Sequence, residues 1–536
     1  GAAGLLASLL ALATAAPAAA ERLRLREVSV ELPAAPAAVL AGDFDGDGVR
    51  DLAVYLVYTR WDQVVTEELS RMDEVEGLVE VMSIVPALLD RRELWLLRGD
   101  GEGGYGRAGE PLPMPLSVHA LMVDPGGQSL LALTDDGVAE VVWREASDVL
   151  ELVPRLAATS RLAGTGVFLP GLELLADVTG DGRAELLFPA PDGLALYAIG
   201  GEAGWGRPLG RVPIPAAAPD RGGSALELRY PLPEVRDVTG DGLADLVWRD
   251  PDHGWNRPWV AENLGGGRFG PPRAPLGGPH ESAPETLHFG DLDGDGRAEV
   301  VTQREHETSE DAGMREEIRH AESPPSTLRV FATTPSLAAA AEPSQTFDAQ
   351  GYAAPGGGSS VQLPAGFRDL DGDGRLDLVT VSLQISITRL LAGLALGRVS
   401  LPLDFHVWCQ RQDGSFHAVE GLDLSGRFRI DIGELKIKSL PAFAGDFDGD
   451  GRLDFVQLGR GRLVTIHTGG PGCRFPSAPD LTVELRREPA HLDLVRVQDL
   501  DGDGRADLMI VQPGKPPEPG VTPPSRLDLY LSGGTP

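Results

Sequence analysis

Aspartate and glycine recur along the chain in a pattern whose spacing could bind a metal ion. The first copy, at residues 43–52, reads Asp-Phe-Asp-Gly-Asp-Gly-Val-Arg-Asp-Leu. We call the first nine residues of each copy an acidic loop and number its positions from the first aspartate. Glycine stands at positions 4 and 6, and oxygen-bearing side chains stand at positions 1, 3, 5 and 9. The seven acidic loops begin at Asp43, Asp177, Asp237, Asp291, Asp369, Asp446 and Asp499.

The chemistry that this pattern favours is calcium binding. Ca²⁺ takes about six to eight oxygen ligands, and the side chains at positions 1, 3, 5 and 9 can converge with the carbonyl of position 7 if the chain curls tightly. The two glycines permit that curl. An EF-hand would need a glutamate at position 12, where the first copy has Val54, so these loops are not EF-hands.

The predicted ligands follow from those positions. They are Asp43, Asp45, Asp47, Val49 and Asp51 in the first loop; Asp177, Thr179, Asp181, Arg183 and Glu185 in the second; Asp237, Thr239, Asp241, Leu243 and Asp245 in the third; Asp291, Asp293, Asp295, Arg297 and Glu299 in the fourth; Asp369, Asp371, Asp373, Arg375 and Asp377 in the fifth; Asp446, Asp448, Asp450, Arg452 and Asp454 in the sixth; and Asp499, Asp501, Asp503, Arg505 and Asp507 in the seventh.

The sequence therefore predicts up to seven bound Ca²⁺ ions as cofactors. Several carboxylates within nine residues repel one another unless a cation neutralises them, which argues against plain surface turns. Thr179 and Thr239 replace an aspartate, so we expect the second and third loops to bind more weakly. Seven Ca²⁺ ions carry 14 positive charges and would change the net charge from −33 to −19.

The flanks of the loops indicate an all-β protein. Each loop follows a short apolar segment and precedes an apolar, often β-branched run, which is typical of a strand, a loop and a second strand. The loops, together with the glycine-rich tail at residues 264–272, resemble the FG-GAP/VCBS repeats of integrin-α-like β-propellers. The resemblance covers essentially the whole chain after residue 20. It implies a calcium-binding β-propeller and says little about function.

The spacing of the loops predicts the number of blades. Successive first aspartates are 134, 60, 54, 78, 77 and 53 residues apart, so the first gap is double. Residues 121–131 lie in that gap and look like an eighth repeat without a metal loop. We therefore predict eight blades of four antiparallel strands, with a seven-bladed ring as the alternative. Residues 24–32 belong to no complete unit, and we expect them to supply the missing outer strand of the last blade.

The N-terminal residues indicate export. Residues 1–20 contain a short apolar run and end in three alanines, as signal peptides do before cleavage. No initiator methionine or basic segment precedes them, so we expect the natural chain to start earlier. Residues 21–536 are then a single propeller domain, secreted, periplasmic or at the cell surface. No later segment has the roughly 18 uncharged apolar residues of a membrane span.

Charge and cysteine content exclude several classes of protein. With 80 acidic against 47 basic residues, the chain lacks the basic face that nucleic acid requires. Two cysteines exclude a disulfide scaffold and a multi-cysteine metal site. Cys409 and Cys473 either pair in an oxidising compartment or remain two buried thiols.

Three units carry extra residues after the strand that follows the acidic loop. Residues 62–92 have helical spacing, residues 303–325 are charged and expected to be mobile, and residues 382–404 mix a strand with a helix-like run. One strand crossing separates these insertions from the acidic loops, so they should gather on the opposite face of the propeller. They either form a binding surface or pack on neighbouring elements.

The sequence favours a binding module over an enzyme. It contains no GxSxG, HExxH or P-loop motif, and its ten histidines are scattered. Arg98-Gly99-Asp100 spells an integrin-binding tripeptide but is expected to be an ordinary hairpin turn. We predict an exported, monomeric, non-catalytic adhesion module for an unidentified protein or glycan, with calcium in a structural role. The alternative is a polysaccharide lyase, because rhamnogalacturonan lyases of one family are also calcium-rich eight-bladed propellers.

Overall fold

The apolar run after each acidic loop forms a strand that is buried on both faces. Side chains alternate between the two faces of a strand, so neighbouring residues of one run pack against different sheets. Val300 packs toward the preceding sheet and Val301 toward the following one, and both are at most 2 % exposed. This double burial explains why the runs are continuously apolar rather than alternating.

The computed structural model describes most of the chain after residue 22. The described residues are 23–59, 71–75, 78–83, 89–199, 205–214, 226–231, 233–249, 258–273, 285–306, 314–334, 337–353, 365–384, 393, 397–422, 424–431, 436–439, 441–458, 461–489, 495–515 and 522–533. The predicted signal peptide at residues 1–20 lies outside them. No helix among the described residues is long and apolar enough to cross a membrane.

The first four sheets are antiparallel and follow one another along the chain. Sheet 1 contains β2 (Ala35–Gly42), β3 (Asp51–Thr59), β6 (Leu89–Gly99) and β7 (Tyr105–Met114). Sheet 2 contains β8 (Val118–Val123), β9 (Leu130–Thr134), β10 (Gly137–Arg144) and β11 (Val149–Ala157), and a short parallel pairing joins β11 to β7. Sheet 3 contains β12 (Leu175–Ala176), β13 (Glu185–Ala190), β14 (Gly193–Ala198) and β15 (Gly210–Val212). Sheet 4 contains β17 (Glu234–Arg236), β18 (Asp245–Arg249) and β19 (Pro258–Ala261).

The remaining four sheets repeat this order. Sheet 5 contains β20 (Glu285–Gly290), β21 (Glu299–Glu305), β22 (Pro325–Ala332) and β23 (Gln345–Gln350). Sheet 6 contains β24 (Gly366–Arg368), β25 (Asp377–Leu383), the long β26 (Arg398–Gln410) and β27 (Phe416–Ala418), extended by β28 (Ser425–Asp431) and β29 (Lys436–Ser439). Sheet 7 contains β30 (Ala442–Phe443), β31 (Phe455–Leu458), β32 (Leu463–His467) and β33 (Leu481–Glu484). Sheet 8 contains β34 (Val495–Gln498), β35 (Asp507–Pro513), β36 (Ser525–Ser532) and β1 (Leu25–Leu32).

The N-terminal strand completes the last sheet, as the sequence predicts. β1 pairs with β36 in an unbroken antiparallel register from Leu25 opposite Ser532 to Leu32 opposite Ser525. Without β1, β36 would expose an unpaired edge.

Shared cores link each sheet to the next and the last sheet to the first. Each of the eight contacts has a core that contains buried residues from both sheets. In chain order, one residue from each side is given by the pairs Tyr55 and Leu121, Leu133 and Phe188, Leu187 and Trp248, Val247 and Val300, Val301 and Leu378, Val379 and Phe455, Val464 and Leu508, and Met509 and Leu52. The fold is all-β and propeller-like, as predicted. The blade number stays a prediction, and this closed succession of eight sheets favours eight over seven.

The described part of the first insertion consists of strands, so the helical interpretation of residues 62–92 is wrong for residues 71–75, 78–83 and 89–92. Within it, β4 (Arg71–Val75) and β5 (Leu78–Ser83) pair with each other, and β5 also pairs with β16 (Leu226–Pro231) from the connection between sheets 3 and 4. Val79 and Val81 alternate along β5, and branched side chains favour strands. A partner strand about 150 residues away is invisible to local periodicity.

The second insertion contains the helix α1 (Met314–Glu322), where the sequence predicts a mobile segment. Arg319 and His320 lie in its last turn, where positive charge complements the helix dipole. The Tyr352 hydroxyl donates a hydrogen bond to the Ala321 carbonyl and so satisfies one terminal acceptor. In the third insertion, residues 385–392 and 394–396 lie outside the described residues, and residues 398–404 belong to β26.

Candidate metal centres

All seven acidic loops connect the first and second strands of a sheet. The glycines at positions 4 and 6 have positive φ angles between 72° and 87° in every loop. A side chain is strained in this conformation, which is why both positions need glycine. The chain curls as predicted, with the loops at one end of the sheets.

The insertions leave from the opposite end, because they follow the second strand.

The aspartate at position 1 organises the curl. Its two oxygens accept hydrogen bonds from the backbone N–H groups of positions 4 and 6, at 2.6–3.3 Å in all seven loops. At position 7, the backbone N–H donates to the carboxylate of position 5, also in all seven. The predicted role of the position-7 carbonyls as ligands stays a prediction.

The carboxylate at position 9 ties three strands together. It is at most 8 % exposed in every loop and accepts the backbone N–H of position 2. In five loops it also accepts an N–H from the end of the third strand or from just after it, donated by Gly99, Asn263, Gln410, Gly469 or Ser532. These carboxylates therefore hold the sheet around the loop.

Burial and neighbouring carboxylates make these groups costly to ionise without a cation. Burial raises the pKa of Asp377, Asp454 and Asp507 to about 7 and the pKa of Glu299 to about 8, and other acidic side chains of each loop add to the rise. Backbone N–H donors to these carboxylates act in the opposite direction. The balance means that carboxylates packed in this way would be stabilised by a positive ion.

The structure brings many of the predicted ligands within reach of a single ion. Carboxylate oxygens of positions 1, 3 and 9 lie within 4.8 Å of one another in the first, fifth and sixth loops, and those of positions 1, 3 and 5 do so in the fourth. At position 3 of the fifth loop, Asp371 Oδ1 is buried and has no hydrogen-bond partner in the described part of the chain. An all-oxygen, acidic donor set with a buried oxygen to spare fits Ca²⁺.

The position-5 carboxylates also meet arginines. Asp373 pairs with Arg375 and Asp450 with Arg452, in each case from position 7 of the same loop. A guanidinium therefore offsets part of the charge in the fifth and sixth loops.

The two threonine loops differ in their internal hydrogen bonds. The Thr179 hydroxyl donates to Glu185 at 3.1 Å, and the Thr239 hydroxyl donates to Asp237 at 3.4 Å. A hydroxyl thus satisfies a carboxylate at position 3, where the other five loops place a fourth carboxylate. This agrees with weaker metal binding at these two loops, which stays a prediction.

A family model for FG-GAP-like repeats matches residues 237–302, which contain the third and fourth acidic loops. Over this segment the chain is similar to FG-GAP-like repeats. The resemblance predicted from the sequence is therefore confirmed, and the other five acidic loops share the geometry of the two in the matched segment. No curated protein matches the chain.

Two solved structures are weakly similar to the chain. An Agrocybe aegerita lectin, solved for recognition of non-reducing terminal N-acetylglucosamine, is 13 % identical with a TM-score of 0.26, over 61 % of this chain and 90 % of that one. Kuenenia stuttgartiensis hydrazine synthase is 12 % identical with a TM-score of 0.29, over 66 % and 76 %. At such scores, the function has to be argued from this chain's own residues.

Sheet 2 keeps the repeat without its acidic loop, as predicted for residues 121–131. Between β8 and β9, Asp124 accepts the backbone N–H groups of Gly126, Gln128 and Ser129, so a single carboxylate organises this turn. The Gly127 carbonyl accepts the N–H of Asp43 at 2.7 Å and links the turn to the first acidic loop.

The tripeptide Arg98-Gly99-Asp100 is part of the hairpin between β6 and β7. The Asp100 carboxylate accepts the N–H groups of Glu102 and Gly104 and is folded back on its own turn. Arg98 pairs with Asp45 and Asp47 of the first loop. Both charged side chains are therefore engaged within the hairpin and loop, as the interpretation as an ordinary turn predicts.

The sequence did not decide two features beside the loops. The contact of Arg98 with the first loop depends on strand register, which the sequence alone does not give. Cys409 and Cys473 form a disulfide between sheets 6 and 7, which settles the alternative left open by the sequence. Beside it, the Gly472 N–H donates to Asp371 at 2.9 Å, so this cross-link adjoins the fifth loop.

Proposed function

We propose that this chain is an exported, calcium-stabilised FG-GAP-like repeat protein that binds a protein or a glycan without catalysis. The observation that carries the proposal is the repeated convergence of carboxylates around buried position-9 groups. A Ca²⁺ ion in such a loop would join the first two strands of a sheet, and its binding free energy would add to folding stability. Calcium would thus be structural, with up to seven ions.

The ligand surface that we propose is the face carrying the insertions. The pairing of β5 with β16 joins two connections from different sheets there, and α1 adds a helix beside sheet 5. Irregular segments held by a rigid scaffold are common places for recognition. The net charge of −33 disfavours nucleic acid and suits a neutral or cationic partner.

A serine–histidine contact in the described part of the chain supports the non-catalytic proposal. Ser382 Oγ lies 2.8 Å from His406 Nε2, which is suitable for activating a nucleophile. However, Ser382 is only 7 % exposed, and Ser323 Oγ covers it at 2.7 Å. This pair is arranged as a packing contact between α1 and sheet 6.

The experiment that tests the proposal is a glycan and polysaccharide array with residues 21–536, run in calcium and in chelator. We expect calcium-dependent retention on one class of ligand. If the array is blank while the protein is folded, cross-linking to membrane and matrix extracts would test protein partners. Release of an unsaturated sugar absorbing in the ultraviolet from a retained polymer would overturn the non-catalytic part and favour a lyase.

Two variants locate the binding face. Replacing residues 62–88 with a short glycine–serine turn removes β4 and β5 and should abolish retention. The control is Arg50→Ala, which alters a cavity of about 290 Å³ between sheets 1 and 8, lined by Arg50, Asp100, Tyr105 and Asp501 among others. Loss of retention in the control alone would move the ligand to the acidic-loop face.

A further inference from the structure

The first acidic loop differs from the others because an arginine of the third strand lies against it. Arg98 Nε contacts Asp45 Oδ2, and Arg98 Nη2 lies 3.3 Å from Asp47 Oδ2. The Asp45 side chain is only 1 % exposed and the Arg98 side chain 41 % exposed, so the carboxylate of this ion pair is shielded from water while the guanidinium is partly open to it. The Trp143 ring supports the guanidinium, with the Cζ atom 5.0 Å from the ring centroid.

No other acidic loop has a cation at this place. Strand register identifies the residue equivalent to Arg98 in each loop. The residue after position 9 pairs with a residue of the third strand, and the equivalent of Arg98 comes directly after that partner. The equivalents in the second to seventh loops are Ala198, Glu262, Ala332, Cys409, Thr468 and Leu531. In the fifth loop the equivalent Cys409 Sγ approaches Asp371 Oδ2 at 3.8 Å, which confirms that this place faces position 3.

A calcium ion and this guanidinium would compete for the same oxygens. Asp45 and Asp47 are two of the four carboxylate ligands predicted for the first loop, and both already contact Arg98. Arginine does not lose its proton in proteins, so its charge cannot be removed to admit the ion. Like charges a few ångströms apart repel strongly where water is partly excluded.

We propose that Arg98 is a resident cation of the first acidic loop and that calcium binds there only by displacing it. The proposal rests on the proposed calcium role of the other loops. It makes the first loop a weak site that fills after the four other loops with four carboxylates. Filling it would release the guanidinium from Asp45 and Asp47 on the acidic-loop face. Arg98 would then be a determinant of calcium affinity rather than a ligand.

The test compares calcium binding by the metal-free chain, Arg98→Gln and Arg98→Lys, using equilibrium dialysis with ⁴⁵Ca²⁺. We expect Arg98→Gln to bind one of its ions at least about tenfold more tightly than the parent does. Arg98→Lys retains the charge and should stay close to the parent. The matched control is Arg107→Gln, because Arg107 is 40 % exposed against 41 % for Arg98 and also lies over a tryptophan, Trp95, but contacts no acidic loop.

A second measurement keeps the test decisive if the binding steps overlap. In chelator, Arg98→Gln should have a lower thermal midpoint than the parent, because Asp45 and Asp47 lose their counter-charge. In saturating calcium this difference should vanish or reverse, whereas Arg107→Gln should differ from the parent equally in both conditions.

An equal loss of stability for Arg98→Gln in both conditions, with unchanged calcium affinity, would overturn the proposal. If the parent binds no calcium at all, the proposed function fails first. If the parent binds calcium and Arg98→Gln binds it no more tightly, only the role of Arg98 fails.

Discussion

At the scale of single residues, a substitution at position 3 of the fifth loop tests whether Asp371 is a metal ligand or only a structural aspartate. Asp371→Asn keeps the size of the side chain and its acceptor for the Gly472 N–H while removing the charge. With calcium at 100 to 1,000 times its dissociation constant, loss of one site should lower the free energy of unfolding by about 3–4 kcal/mol. In chelator, the variant should be as stable as the parent or slightly more stable, because repulsion with Asp369 and Asp373 is relieved.

Denaturation midpoints in the two conditions measure this difference. The control is Asp192→Asn, an exposed aspartate paired with Arg211 at 2.9 Å in a hairpin without an acidic loop. It should change stability equally with and without calcium. An equal effect of Asp371→Asn in both conditions would show that this carboxylate binds no ion.

The buried position-9 carboxyls predict an inverted pH dependence for the metal-free protein. In the folded chain, burial holds the pKa of Asp377, Asp454 and Asp507 at about 7, against 3.8 for an ordinary aspartate. Between about pH 4 and 7 the folded state therefore binds more protons than the unfolded state. The stability that these protons give is fully present below about pH 4 and is lost as the pH rises through about 7. Each group contributes up to about 1.4 kcal/mol per pH unit in that window.

Calcium should reverse this slope, because the ion binds the ionised carboxylates. Urea midpoints measured from pH 4.5 to 7.5 should fall in chelator and rise in calcium. In chelator, Asp377→Asn should make the fall of stability with pH less steep, by the contribution of the one proton that Asp377 binds. A metal-free chain that gains stability with rising pH would contradict the assignment of these groups as protonated.

At the scale of elements, β1 should act as the closing strand of the molecule. Leu32 is 2 % exposed, and Val28 and Val30 pack on the core shared by sheets 8 and 1. Deleting residues 1–33 leaves β36 with an open edge, so we expect oligomers or aggregates in size-exclusion chromatography. A synthetic peptide of residues 23–34 should restore monomer, and the same peptide carrying Val28→Asp and Val30→Asp should not. A monomeric, stable truncated chain would contradict the closing role.

Local sequence patterns predicted those elements whose conformation is determined by a short stretch of consecutive residues. The acidic loops follow from nine consecutive residues, in which glycine at positions 4 and 6 adopts positive φ and aspartate at position 1 accepts their N–H groups. The second strands follow from uninterrupted apolar runs. The pairing of β1 with β36 was predictable because one strand was left over at each end of the repeat count.

The features that sequence reasoning missed depend on distant partners. Residues 71–75 and 78–83 form paired strands, and the second of them also pairs with β16, a partner that no local signal names. The contact of Arg98 with Asp45 depends on the register of β6 against β3. Cys409 and Cys473 are 64 residues apart, and only the packing of sheet 6 on sheet 7 brings them together.

At the scale of the whole molecule, the sequence and the structure together place a large excess of negative charge on a closed set of sheets. The net charge is −33, and all seven acidic loops lie at the same end of their sheets. Self-repulsion on this face destabilises the folded state, and either salt screening or bound ions can relieve it. Salt screening and bound ions differ in the ion concentration that they require and in their selectivity for the ion.

A comparison of salts should therefore distinguish bound calcium from screening. In chelator, raising NaCl from 0.02 to 0.5 M should increase the thermal midpoint modestly, because the Debye length falls from roughly 20 Å to about 4 Å. Calcium at about 1 mM hardly changes the ionic strength, yet it should raise the midpoint further than 0.5 M NaCl does. Mg²⁺ at the same concentration should be less effective, because it demands octahedral geometry and gives up water reluctantly. If NaCl alone restores the full midpoint, or if Mg²⁺ equals Ca²⁺, the acidic loops act as a diffuse field rather than as calcium sites.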